Sequence, residues 1–162
     1  MIKTGMTTVS YLSIALSVII AGCSGVRPTD LGVKDGSLAP CPSSPNCVSS
    51  QSRDPEHAIA PFSYTASTSR AMADLKKVIL GMKRSKIVEE RDSYIHAEFT
   101  SALWRFIDDV EFYFDEGAKV IHVRSASRLG KSDFGVNRKR VEEIRAIWMT
   151  SGKNKGVERD HD

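Results

Sequence analysis

The sequence predicts an α+β fold, a two-layer domain in which a helix, a four-stranded antiparallel sheet of two hairpins and a second helix follow an irregular, disulfide-pinned segment. Three observations carry this expectation. Ala71, Leu75, Val78, Ile79 and Met82 recur at helical spacing. Apolar and polar residues alternate along two stretches between residues 94 and 125. Helical spacing then returns at Val141, Ile144, Ile147 and Trp148.

The chain opens with Lys3 and then carries no charge before Arg27. Between them, Val9 to Ile20 is a run of 12 residues, short of the roughly 20 that a helix needs to cross the hydrocarbon. A basic head, a short apolar core and small residues behind it describe a secretory signal peptide. Its end, Ile20-Ala21-Gly22-Cys23, resembles a bacterial lipobox. That resemblance implies cleavage after Gly22, a diacylglycerol thioether on Cys23 and acylation of the new amino terminus. Several acyl chains, at about 0.8 kcal/mol per buried methylene, make a stable anchor where one is marginal. Ser24 follows the cysteine, where an Asp is associated with retention on the inner membrane; by resemblance this points to the periplasmic face of the outer membrane.

Residues 23–37 read as a flexible tether, rich in Gly, Pro and small polar residues and without a period. Residues 38–150 form the expected domain, and 151–162 a flexible tail that frays after Trp148. Cys41 to Pro61, with Pro at 42, 45, 55 and 61, stays irregular. Ser67-Thr68-Ser69 caps the first helix. The first hairpin turns at Arg91-Asp92-Ser93, and its second arm puts Ile95, Ala97 and Phe99 on one face and Tyr94, His96 and Glu98 on the other. In the second hairpin Asp115 to Ala118 forms the turn. Phe112 is expected opposite Ile121, Val110 opposite Val123 and Glu111 opposite His122. The last helix starts near Asn137.

Composition narrows the function. There are 23 Lys plus Arg and 20 Asp plus Glu, and a net charge of +3 is too mild to imply nucleic acid. Three cysteines are too few for a four-thiolate zinc site. In an oxidising compartment Cys41 and Cys47 most simply form a disulfide, and the turn-forming residues between them help close it. A redox pair would show two intervening residues, and a metal site would need two further ligands beyond the nearest histidine, His57.

Two further clusters could carry chemistry. From Arg124 to Arg145 there are seven basic and three acidic residues, with Gly130 and Gly135 and a helix start that could present N–H and guanidinium groups to an anion. Arg128, Asp133, Asn137 and Arg138 are its candidate ligand-binding residues; in the alternative, Asp133 and Asn137 brace or cap the loop and the arginines are solvated. The second cluster is the sheet's polar face: Tyr94, His96, Glu98, Glu111, Tyr113, His122 and Arg124. Glu, His and Tyr can do acid–base work, but Glu111–His122 and Asp109–Arg124 would also be ordinary charge pairs on a wet sheet. No nucleophile elbow, phosphate loop or metal-spaced histidine pair is present.

Leu38-Ala-Pro-Cys-Pro-Ser-Ser-Pro-Asn-Cys-Val-Ser-Ser50, Arg124-Ser-Ala-Ser-Arg128 and Gly130-Lys-Ser-Asp-Phe-Gly-Val-Asn-Arg138 resemble the family named domain of unknown function 1499, over roughly Leu38 to Trp148. The resemblance implies no reaction. It does imply that Cys41, Cys47, Arg128, Asp133, Asn137 and Arg138 belong to the family's pattern. The expected function is therefore that of a lipid-anchored envelope lipoprotein. It would serve as a non-enzymatic binding or structural module for an anionic or amphipathic envelope component or a protein partner, with no cofactor, metal or nucleic acid. The alternative is an envelope hydrolase or transferase using His96 or His122 with Glu111.

Overall fold

The computed structural model describes residues 25–153; the expected signal peptide, Cys23 and the last nine residues lie outside them. In order, the elements are β1 (Cys47–Ser49), β2 (Phe62–Ser63), α1 (Thr68–Gly81), β3 (Ser85–Arg91), β4 (Tyr94–Thr100), β5 (Ile107–Asp115), β6 (Val120–Ser127) and α2 (Val136–Lys153). The class is α+β, and every strand pairing is antiparallel.

α1 starts where Ser67 Oγ accepts the Arg70 N–H. It ends in a tight last turn, where the Met82 N–H donates to the Ile79 carbonyl, which also accepts from Ser85 Oγ. Its Ala71, Met72, Leu75, Val78 and Ile79 are buried against the sheet. α2 contributes Val141 and Ile144 to the same core, where Ile95, Ala97, Val110, Phe112, Phe114, Ile121 and Val123 meet them from the strands. Contrary to the expected fraying after Trp148, α2 continues to Lys153.

The sheet runs β1-β6-β5-β4-β3, with β2 also on β6, so it has six strands where four were expected. β1 and β2 lie end to end along the outer edge of β6: Cys47–Ser49 pair with Arg124–Ala126, and Phe62–Ser63 with Val120–Ile121. They satisfy an edge that would otherwise present unpaired N–H and C=O groups. At three and two residues, neither strand is long enough to show alternation.

The β5–β6 register differs from expectation by two residues. Phe112 faces Val123, Val110 faces Ser125 and Glu111 faces Arg124. The turn is longer than expected: Asp115 pairs with Val120, and Asp115 Oδ1 accepts the Ala118 N–H inside the loop. A two-residue slip keeps every side chain on its own face, so the alternation could not detect it.

Candidate functional site

The second face of the sheet is not wet. Tyr94, His96, Asp109, Glu111 and Arg124 are all buried, and chain running from Gly25 towards Pro40 lies across them. The expected loose tether is thus, from Gly25 onward, a fixed strap. Its Gly32 N–H donates to Glu111 Oε1 at 2.7 Å, and its Arg27 guanidinium pairs with Glu98. Gly32 takes φ 113°, a conformation that L side chains rarely adopt, and a Cβ there would come within 3.2 Å of the Arg91 guanidinium.

Beneath the strap the charges satisfy one another. Arg128 forks onto Asp109, Nε to Oδ2 and Nη2 to Oδ1 at 2.7 Å each, and its Nη2 also reaches Glu98 Oε1 at 2.6 Å. His96 Nε2 lies 2.7 Å from Asp109 Oδ1. An ionised carboxylate only accepts, so Nε2 is the protonated ring nitrogen. Burial works against the Asp109 charge, but the hydrogen bonds from Arg128 and His96 win and hold its pKa below the ordinary value. Glu98 is likewise lowered, by Arg128 and Arg27 against desolvation. The Asp109 and Glu98 carboxylates raise Arg128 in turn, Asp109 most strongly.

Glu111 accepts from Tyr94 Oη at 2.9 Å and from Arg124 Nη1 at 3.1 Å. Burial, with Glu111 alongside, pushes the Tyr94 phenol up, so it stays protonated as a donor. The expected Glu111–His122 and Asp109–Arg124 pairs therefore do not form. His122 instead stacks on Tyr113 with ring centroids 6.0 Å apart, its Nδ1 is 3.3 Å from Ser50 Oγ, and burial lowers its pKa. Arg124 Nε, buried and without a hydrogen-bond partner among the described residues, belongs to a side chain that lines a recess of about 340 Å³ with Asp30, Asp109 and Arg128.

The loop after β6 is tied from within. Asp133 Oδ2 accepts the Asn137 backbone N–H at 2.7 Å, and Asp133 Oδ1 accepts that of Gly135, capping α2. Asn137 is fully buried. Its Nδ2 reaches the Asn46 carbonyl, Ser127 Oγ and Asp133 Oδ2, and its Oδ1 accepts from Ser125 and Arg140. Arg138 donates to the carbonyls of Ala58 and Glu56. Asn46, in turn, donates to the Gly130 carbonyl at 2.7 Å. The segment containing Cys41 and Cys47, which are joined by a disulfide, therefore docks directly on the loop containing Asp133 and Asn137. Two of the three stretches of sequence that carry the family resemblance, residues 38–50 and 130–138, thus form one contact. The family described as protein of unknown function (DUF1499) matches residues 37–147. The chain belongs to this family. No curated protein matches it. Within the DUF1499 domain, the Cys-Pro-Ser-Ser-Pro-Asn-Cys motif closes a disulfide loop whose Asn46 locks the β6–α2 connection.

On the opposite, apolar side, an open groove of about 870 Å³ lies between β2, α1 and α2. Phe62, Tyr64, Ala66, Ala71, Trp148 and Met149 give it a mainly apolar lining, and Arg70, Asp74 and Arg145 stand at it as well. Arg145 lies over the Phe62 ring at 4.4 Å and donates to the Pro61 carbonyl; Arg70 pairs with Asp74. Sequence reasoning missed this site. Its walls come from a two-residue strand and two distant helices, so nothing local marks it. Among the described residues, no group of three or more His, Cys, Asp or Glu could hold a metal ion.

Proposed function

We propose that this DUF1499 domain is a lipid-anchored module of the bacterial envelope, held on the outer membrane's periplasmic face, that binds an amphipathic, anionic envelope component without transforming it. The groove between β2, α1 and α2 carries the reading. Its volume is in the range of small-ligand sites, and it combines an apolar lining with a few polar groups at its margin. An acyl or similar apolar part would lie along Ala66, Trp148 and Met149, with an anionic head towards Arg70. The acid–base groups support binding over catalysis: Glu111 is taken by Tyr94, Arg124 and the half-buried Gly32, and His96 by Asp109, and all five side chains are buried. The lipobox-like Ile20-Ala21-Gly22-Cys23 supports the anchor.

Native mass spectrometry of protein released gently from its own membrane tests the binding. The wild type should carry an amphiphile adduct. Ala66→Trp, which fills the groove from an exposed position, should lose the adduct at unchanged melting temperature. A wild type free of adduct, or an adduct that Ala66→Trp keeps in full, overturns the binding role.

A further inference from the structure

The end of the sheet where β4 and β6 finish is unlike the rest of the surface. Two loops meet there: residues 101–106 between β4 and β5, and 128–135 between β6 and α2. Arg128 N–H donates to the Ile107 carbonyl, and Ala102 and Val136 line one groove. These loops expose Leu103 at 77%, Trp104 at 67% and Phe134 at 97%, with Phe106, Leu129 and Val136 beside them. Scattered exposed apolar residues are ordinary, but a cluster on adjoining loops marks an interaction surface. Arg105 and Phe134 both hold positive φ, 57° and 54°, so the tips adopt a backbone that costs energy for residues other than glycine.

The exposed charges around this cluster are mainly basic, with Glu143 facing Lys83, Arg84 and Lys139 along the groove that Ala102 and Val136 line. Lys83, Arg84, Arg105 and Lys131 are exposed there, and residues 101–106 contain no acid. Asp133, the acid of the second loop, is turned inward as the cap of α2. Aromatic and aliphatic tips ringed by cations match the interface of an anionic bilayer, with rings at headgroup depth and ammonium and guanidinium groups on phosphates.

The strap supplies the second observation. It enters the described structure at this same end: a Cβ on Gly25 would lie 2.9 Å from Arg128 Cβ and 3.1 Å from Leu129 Cγ. Cys23 is two residues earlier, and two residues reach roughly 7 Å at most. Any acyl chains on Cys23 would therefore enter the membrane directly beside Leu129.

We infer that the domain seats this end on the bilayer, with Leu103, Trp104, Phe106, Leu129 and Phe134 inserted into the interface of an anionic membrane. The inference rests on the proposed lipid anchor for its direction. Seating there puts the Val120 end of β6, and the groove flanked by Phe62 and Tyr64, at the far side of the domain, roughly 24 Å up an eight-residue strand. The groove then opens to the periplasm, away from the membrane that holds the protein.

The test uses full-length protein purified from its membrane and reconstituted in phosphatidylethanolamine–phosphatidylglycerol vesicles whose acyl chains carry bromine near the headgroup. The chain has two tryptophans, so the difference between the emission of the wild type and of Trp104→Phe isolates Trp104. Brominated vesicles should remove most of the Trp104 emission, bromine near the chain ends should remove much less, and omitting phosphatidylglycerol should weaken the effect. Intact mass of the same sample reads acylation separately. Acylated protein whose Trp104 is untouched by bromine overturns the inference while the anchor stands; the patch then belongs to a protein partner or a second copy. Unacylated protein with quenched Trp104 removes the anchor and upholds the seating. Unacylated protein without quenching overturns both.

Discussion

Both faces of the sheet are buried, but by different means. On one face Ile95, Ala97, Val110, Phe112, Phe114, Ile121 and Val123 pack against α1 and α2. That burial is non-directional, and each of the larger side chains contributes roughly 1.5–3 kcal/mol. On the other, Tyr94, His96, Asp109, Glu111 and Arg124 are covered by an irregular strap with no helix or strand of its own. Leu38 is buried under that cover, and Leu31 and Val33 are half-buried, but its fit to the sheet is set by hydrogen bonds and ion pairs. The donors and acceptors must match one by one, because an uncompensated buried charge costs far more than an unfilled methyl-sized gap. The apolar face tolerates imprecision; the polar face does not.

The largest expected effect follows from that difference. Arg128→Ala should destabilise by about 3–5 kcal/mol, because it strips Asp109 of two hydrogen bonds and Glu98 of one in a buried setting. Leu75→Ala on the apolar face should cost a similar roughly 2–5 kcal/mol by opening a cavity. Chemical denaturation measures both. A loss under about 0.5 kcal/mol for Arg128→Ala would mean that the polar face behaves as solvated surface and that the contrast is false.

Acid separates the two faces more sharply. Asp109 and Glu98 are held below their ordinary values of 3.8 and 4.5. Their stabilisation is therefore fully present above those values and is lost as pH falls through the depressed folded ones. Stability of the wild type should fall steeply there, by no more than Arg128→Ala costs at neutral pH. Leu75→Ala should parallel the wild type, whereas Arg128→Ala should show a flatter acid limb. His122, lowered by burial, loses stability as pH drops below 6.5, but identically in all three proteins. Parallel limbs in the wild type and Arg128→Ala would break the assignment.

These faces also explain how much of the molecule could be read beforehand. Helical spacing located α1 and α2, and alternation located β4, β5 and β6 with the correct faces, because both signals record what is buried against an apolar partner; β3 was legible only as the other arm of the first hairpin. Polar alternation means only that a face is not apolar. It is the same for a wet sheet and for a polar interior, so the burial of Glu111 and His96 was invisible. The strap was invisible for a related reason: Gly32 and Arg27 bond partners at sequence separations of 79 and 71 and leave no local period. The candidates Asp133 and Asn137 were legible as a loop-bracing pair from residue type at a helix start. Asn46, Asp108 and Arg140, which complete their network, were not, because their partners come from other elements.

The disulfide sharpens the comparison from the strap's side. In the chain-entropy model a cross-link with a separation of 6 residues stabilises by roughly 2 kcal/mol. Cys41 lines the recess over Arg124 and Arg128, and Cys47 opens β1, so the bridge ties the strap's end to the sheet edge. Replacing both cysteines by Ser should cost about that much. Amide exchange should quicken across residues 25–52 before it does in β4 and β5. Uniform quickening over the whole sheet would mean that the strap and the core unfold as one unit.

The smallest effect expected lies at the junction of the two covers. Asp133 caps α2, which belongs to the apolar side, and it also positions Asn137, whose Nδ2 holds the Asn46 carbonyl beside the disulfide. Losing a helix cap costs roughly 0.5–2 kcal/mol, and solvent reaching this half-buried carboxylate keeps the figure near the lower part of that range. Asn137, fully buried with five bonded partners, should cost more when changed to Ala, on the order of 1–3 kcal/mol for the groups left unpaired. If Asp133 acts only through Asn137, the double variant should be no less stable than Asn137→Ala alone; if it acts only as a cap, the two losses should add. The bonds to the Gly135 and Asn137 backbones exist whatever side chain stands at 137, whereas the bond to Nδ2 does not. Part of the Asp133 effect should therefore survive in the Asn137→Ala background, giving a double loss smaller than the sum and larger than Asn137→Ala by itself. Full additivity, measured by denaturation of the four proteins, would detach the cap of α2 from the contact between the two family motifs.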